Sequence, residues 1–580
     1  MEENGVPNTQ EISDSQKPKK GMPKAIIVVF ILLLLCVSAL GVVNFFPEVI
    51  PAKMIYMMAE KQNITLFQNQ VDQYMNDGFT KDALKVFDTP YTGNSELTFK
   101  YKLDKIQAAE VAQLKIINNI LSASKLIINE TADNKNEKAK VDYTLNVKGN
   151  DLIKIEAFAD KKKIGIKIPV FYDKYIVLNA DNMAPIFEKF GQPVQFKKIV
   201  TNADIMKVIK FDKKEAFTIM NEYGEYLLKQ LKDSNFKFTK GAKLVTSEGN
   251  IGCNQVAIKL TATELKDISI KMLEKMQTDD RLLNLTAGNV INVMKLYEDA
   301  GYYGTEGIPS EFKDINTIKQ KIKEGIDIMK KDTSDTDNKS EFVMTLSIDR
   351  KFVILERKIE AISKDVNSKT IGTMTLKIAG FKQLKSKGKE TIFESLYDEQ
   401  SNKARFTIDA VEAPKIQGQP TKTTVNIESA VNSAGTETKP FTCRIDIGNE
   451  TVKDKSRNIS ANFDAKIVQY GTENLNVNGI LTYGATRDPS AGKVDSNIGL
   501  DTNIKIPAMG SANNEVGFIL GFVSKMKFGG TVELPSVNAS NSLDINTATN
   551  QQLQEAMTQI QTAAQSFIMQ NASLFAPAGV

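Results

Sequence analysis

Six Ser-x-x-Lys pairs, beginning at Ser122, Ser234, Ser310, Ser386, Ser490 and Ser524, are the residues in this chain most suggestive of nucleophilic chemistry. A lysine amine three residues on could serve as base to a serine hydroxyl. Such pairs matter because the chain contains no histidine, which excludes Ser-His-Asp and Cys-His machineries and the usual zinc and non-haem iron sites. Yet 74 of the 580 residues are Lys or Arg, so several matches arise by chance. None carries the further motifs of a penicillin-binding protein. A hydrolase using Ser-Lys or carboxylate chemistry is therefore the least favoured reading.

The other candidates are weaker. Asp332, Asp335, Asp337 and Glu341 suggest a calcium loop, but Lys339 and Ser340 fall where an EF-hand needs an oxygen ligand and a glycine. Gly301 to Gly307 is glycine-rich without a Gly-Lys-Ser/Thr element, so it reads as a loop rather than a phosphate cradle. Cys253 and Cys443 lie in strand-like segments, where a disulfide and two buried thiols are both open. No catalytic, cofactor-binding or metal-ligating residue is assigned, and the expectation is no enzyme and no cofactor.

The elements that would position any site begin with a membrane segment. Ala25 to Phe46 is an uncharged run of 22 residues, long enough for a hydrocarbon core of about 30 Å. Lys17, Lys19, Lys20 and Lys24 precede it, so the positive-inside rule predicts residues 1–24 in the cytoplasm and the main body outside. A cleaved signal peptide is the rival reading, with Val37-Ser38-Ala39 as its cleavage site. The net charge of +4 over the chain gives no support for nucleic-acid binding.

Beyond the anchor, Pro51 to Asp77 has helical spacing, with Met54, Met58, Val71 and Met75 among its apolar positions. Period-two alternation follows at Leu97–Leu103 and through Val141–Leu178, an expected antiparallel meander. Helices are expected after the N-cap Asp212, after the Thr261/Glu264 capping box, and over Asn289–Tyr297 and Phe312–Lys331. Short strands then recur from Phe342 to about residue 510, before a C-terminal helix at Asn550–Asn571. The predicted fold class is α+β: an N-terminal transmembrane helix, then large curved antiparallel sheets packed with helices. The predicted division is a tail at 1–24, a transmembrane helix at 25–46, a first unit at 47–331, a linker at 332–340 and a second β-rich unit at 341–580.

The Lys17–Phe46 anchor, the Val141–Leu178 meander and the Val256–Met276 strand-to-helix segment together resemble single-pass surface proteins of low-GC Gram-positive bacteria, particularly clostridia. That family implies no particular activity. The strand-and-helix order also resembles lipoprotein carriers in which a curved sheet wraps helices around an apolar cavity. The expected function is a non-enzymatic, membrane-anchored extracytoplasmic protein that binds a lipid or other apolar ligand between sheet and helices. The alternative is a structural or interaction module contacting cell-envelope components.

Overall fold

The computed structural model describes residues 51–572 apart from short stretches, the longest being 103–117, 332–338 and 507–514. Twenty strands dominate it. The first group is β1 (Tyr91–Lys102), β2 (Ser124–Asp133), β3 (Lys138–Val147), β4 (Asn150–Asp160), β5 (Lys163–Ile168), β6 (Tyr172–Asn179), β7 (Phe236–Thr246) and β8 (Gly249–Thr261). The second is β9 (Glu341–Ile348), β10 (Ile354–Lys364), β11 (Thr370–Leu384), β12 (Gly388–Glu399), β13 (Asn402–Glu412), β14 (Thr421–Ser433), β15 (Thr436–Val452), β16 (Ser456–Gln469), β17 (Thr472–Asp488), β18 (Lys493–Lys505), β19 (Glu515–Phe528) and β20 (Ser542–Asp544).

All belong to one sheet. Strands β7 to β19 pair antiparallel in chain order. Strand β19 then pairs with β1, which continues the order through to β6. The short β20 joins β6 in parallel. In the described pairings β7 and β20 each have a neighbour on one side only, so the sheet has two edges. Hairpins carry most of the order. The β3–β4 turn, for example, passes through Lys148 and Gly149 at φ of +53° and +87°, the mirror-image geometry that suits strand twist.

Among the described residues, the helices of eight residues or more are α1 (Ala52–Asn76), α2 (Gly78–Lys85), α3 (Lys213–Gln230), α4 (Ala262–Thr278), α5 (Asn289–Asp299), α6 (Ile315–Lys331) and α7 (Asn550–Gln570). Their starts follow local chemistry. Asp212 accepts from the Glu215 N–H to cap α3, and Thr261 and Glu264 form a reciprocal box on α4. The main core lies where α1, α3 and α4 cover one end of the sheet. Ile55, Tyr56 and Ala59 of α1 meet Leu227, Leu265 and Met272, over Val256, Ile258, Leu260, Met344 and Leu346 of the strands. Two smaller clusters lie on the opposite face, around Leu244, Cys253, Leu355 and Ala379 and around Phe158, Tyr175 and Val177.

Two expectations are corrected here. The α+β class with sheets packed against helices becomes one twenty-stranded sheet, whose helices cover only part of one face. Of the apolar positions read in α1, Met54 and Met75 are exposed, and the buried residues are Ile55, Tyr56, Ala59 and Glu60. The space between sheet and helices is filled by close-packed side chains, which removes the expected ligand site there. The predicted transmembrane helix, Ala25–Phe46, lies outside the described residues, and among those described no helix is long and apolar enough to cross a membrane.

Candidate functional site: the apolar face of the sheet

Side chains alternate between the two faces of a strand, so residues paired across strands share a face. One register row runs through Leu346, Arg357, Ile378, Phe393, Ile408, Ile427, Cys443 and Ala465, from β9 to β16. A parallel row passes through Ile459, Tyr483, Ile498, Phe522, Leu97, Leu126 and Leu145 into β3. The face is thus apolar across most of the sheet, and it is the same face that the helices cover at β7 to β10. Away from the helices it stays open: Ile378, Phe406, Ile467, Leu481 and Ile498 are 37–42% exposed. From β16 to β1 the opposite face is largely polar, with Asp464, Asn478 and Asn503 in one row and Lys102 two strands further on, although Ile480, Ile519 and Val523 stand exposed on it. Asn503 donates to Asn478 at 3.3 Å, and Lys102 pairs with Asp501.

A wide apolar surface open to water is costly, at about 25 cal/mol for each Å² left unburied, and scattered exposure would not require an explanation. Here the exposure is contiguous and follows the strand register. That regularity makes the face the candidate site.

Charge enters this face at a few defined places. Arg357 interrupts the apolar row on β10, and Glu60 of α1 neutralises it through two bonds of 2.7 and 2.6 Å. Burial opposes the Arg357 charge, but Glu60 outweighs it and holds the guanidinium protonated. Burial, reinforced by Glu60, pushes the Tyr56 hydroxyl well above its usual range. From β14 to β19 and on β1, the charged residues among those described on this face are Arg457 and Arg487. Arg457 donates to Asp77 at 2.9 Å and Arg487 to Asp82 at 2.7 Å, with the Phe79 ring beside both guanidinium groups. Burial works against the Asp82 carboxylate, but Arg487 and Lys85 overcome it and hold its pKa below the usual range. On β2, burial raises the half-buried Glu130, which bonds to Tyr91.

The sequence candidates disperse. Ser122 donates to the Asn118 carbonyl, Ser490 to Asp488, and Ser524 accepts from Ser95, so each hydroxyl is engaged away from the lysine in its motif. Ser386 lies outside the described residues, as do Asp332, Asp335 and Asp337. Glu341 pairs instead with Lys259 and Lys364. Among the described residues no group of three or more potential ligands could hold a metal. Cys253 and Cys443 are both free thiols. They lie on opposite faces and seven strands apart, roughly 34 Å at the usual strand spacing, so they cannot bridge. Arg357, Arg457 and Arg487 escaped the sequence reading. Their signal was a lone charge at an otherwise apolar alternating position.

No family model matches the chain, and no curated protein matches it. Among solved structures, OmpT, an outer membrane protein of Vibrio cholerae, matches at 7% identity and TM-score 0.17, covering 76% of this chain and all of that one. The CymD monoaromatic hydrocarbon channel matches at 6% identity and TM-score 0.15, covering 79% and 92%. OpdQ of Pseudomonas aeruginosa matches at 5% identity and TM-score 0.20, covering 76% and 97%. Such scores mark a shared abundance of strands and carry no argument about shape or activity.

The expected single-pass protein with an extracytoplasmic ligand-binding body is corrected on the described residues: no helix among them is long and apolar enough to cross a membrane, and the space between sheet and helices that was to hold the ligand is filled.

Proposed function

We propose that the protein is a non-enzymatic, membrane-associated transport protein in which the sheet forms the wall of the passage. The observation that carries this reading is the apolar face that runs from β11 to β19 and on to β3, open to contact over much of its width. Its cargo is a molecule with an apolar part, which slides along a surface that offers few polar groups to hold it at one point. A sheet edge-on to a bilayer would hand such a molecule over without exposing it to water.

The reading is tested with purified full-length protein and vesicles carrying a fluorescent phospholipid, read as transfer to unlabelled acceptor vesicles. Wild type is expected to accelerate transfer, and Phe463→Asp with Ile445→Asp, adjacent on the apolar face, to slow it at least tenfold while the circular dichroism of the sheet is unchanged. Equal transfer by both proteins, or none by wild type, would overturn the reading. The same protein added to a planar bilayer separates the two routes of transport, since steady ionic conductance marks an aqueous pore and its absence a surface track.

A further inference from the structure

The helix pair α1–α2 touches the apolar face at two distant places. Its near end is built into the core: Ile55, Tyr56 and Ala59 are almost completely buried, and Glu60 meets Arg357 of β10. Its far end meets β16 and β17 through Asp77–Arg457 and Asp82–Arg487. Between them α1 leaves Phe67 and Tyr74 exposed. Its contacts there are with α3, through the Phe67–Phe217 ring pair and the Asp72–Lys213 ion pair.

From Glu60 to Asp77 the helix advances about 26 Å, at 1.5 Å per residue, so one element links β10 to β16 across the apolar face.

The two ends are held by different forces. The near end has both packing and an ion pair. The far end is short: α2 has eight residues and buries Gly78, Phe79 and Asp82. Its Gly78–Asp82 half is attached by the two arginine–carboxylate pairs and the Phe79 ring between them, and its Lys85 end by the Phe528 ring and the chain running into β1. Gly78 lies against the Arg487 guanidinium, and a Cβ there would push that group from its present place. The Asp77 carboxylate serves both ends of the contact, since one oxygen accepts from Arg457 and the other caps α2 through the Thr80 N–H.

We infer that α1–α2 is a strap across the apolar face, permanently fixed at Glu60–Arg357 and releasable at the charge latch of Asp77 and Asp82 with Arg457 and Arg487. Closed, it spans from β10 to β17 and covers the patch of β16 and β17 under Phe79, while the face between stays open. Released, α2 lifts on its tethers to α1 and β1 and that patch opens. The purpose of the strap rests on the transport reading above, but its attachment does not.

Asp77→Asn with Asp82→Asn in the full-length chain tests the latch by hydrogen exchange and by binding of an anilinonaphthalene sulfonate probe. Amides of Gly78–Lys85 are expected to exchange at least tenfold faster, with Ile55–Glu60 and β16 unchanged, and probe fluorescence to rise severalfold. The charge swap Asp82→Arg with Arg487→Asp is expected to bring both readouts back toward wild type. Unchanged exchange in α2 would overturn the inference. So would loss of protection spreading through β16 and β17, because the pairs would then support the sheet rather than a latch. If α2 is released but vesicle transfer is unaltered, the strap stands and the transport reading fails.

Discussion

Glu60 and Arg357 stand 297 residues apart in the chain and form a two-pronged ion pair in which Glu60 is 1% exposed. This contact ties the first described helix to β10, three strands in from the β7 edge of the sheet. It also neutralises the one charge that interrupts the register row from Leu346 to Ala465.

Removing one member of such a pair leaves the other charge buried without compensation. Glu60→Ala is expected to lower the unfolding free energy by about 3–5 kcal/mol. Glu60→Leu with Arg357→Met, which replaces both charges by apolar volume, is expected to restore most of that loss. Urea unfolding midpoints of the three proteins check it; additive losses in the double variant would contradict it.

Glu130 makes stability depend on pH in a defined direction. Its folded pKa is raised by burial, so the folded state favours the protonated form. That contribution is fully present below the unfolded value of about 4.3 and is lost as pH rises through the higher folded value. Glu130→Gln should therefore gain stability relative to wild type as pH increases over that window. Thermal midpoints collected at closely spaced pH values would reveal the opposite trend if the carboxyl were well solvated.

The sheet tolerates bulk unevenly. A Cβ at Gly479 would run into the Asp501 carbonyl and lie 2.8 Å from the Phe463 ring, whereas at Gly448 its nearest neighbour would be 3.9 Å away. Gly479→Ala should cost about 1–3 kcal/mol, the usual range for overpacking. Gly448→Ala should fall within about 0.5 kcal/mol of wild type. Equal midpoints for the two variants would mean that the strands can part at Gly479.

The cysteines offer a chemical probe of the apolar face. Burial raises both thiols, but Cys253 is 6% exposed whereas Cys443 is half-buried on the open row. Maleimide labelling followed by peptide mass spectrometry should modify Cys443 at least several times faster than Cys253. A saturating fatty acid should slow Cys443 and leave Cys253 alone. Identical rates with and without the fatty acid would argue that nothing occupies this row.

Much of the local structure was legible because its causes are local. The Thr261/Glu264 box starts α4, Asp212 caps α3, and alternation marks the strands Phe342–Ile348 and Val141–Val147. These signals are periodicity and short-range hydrogen bonding, which a single segment contains. Which side of α1 is buried was not legible, because its methionines and Ile55, Tyr56 and Ala59 lie on overlapping helical stripes, and only the partner surface selects between them.

What the sequence alone determined is therefore the set of strands and helices, their apolar sides, and the absence of histidine chemistry. Tertiary structure decided that the strands form one sheet, because β1 and β19 join across more than four hundred residues, Leu97 against Phe522. It also decided that helices fill only one end of the apolar face, and that three isolated arginines meet carboxylates of α1–α2. The physical reason is the same in each case. A strand's alternation specifies which side avoids water, but the partner that covers that side, or leaves it bare, is set by pairings between residues distant in the chain.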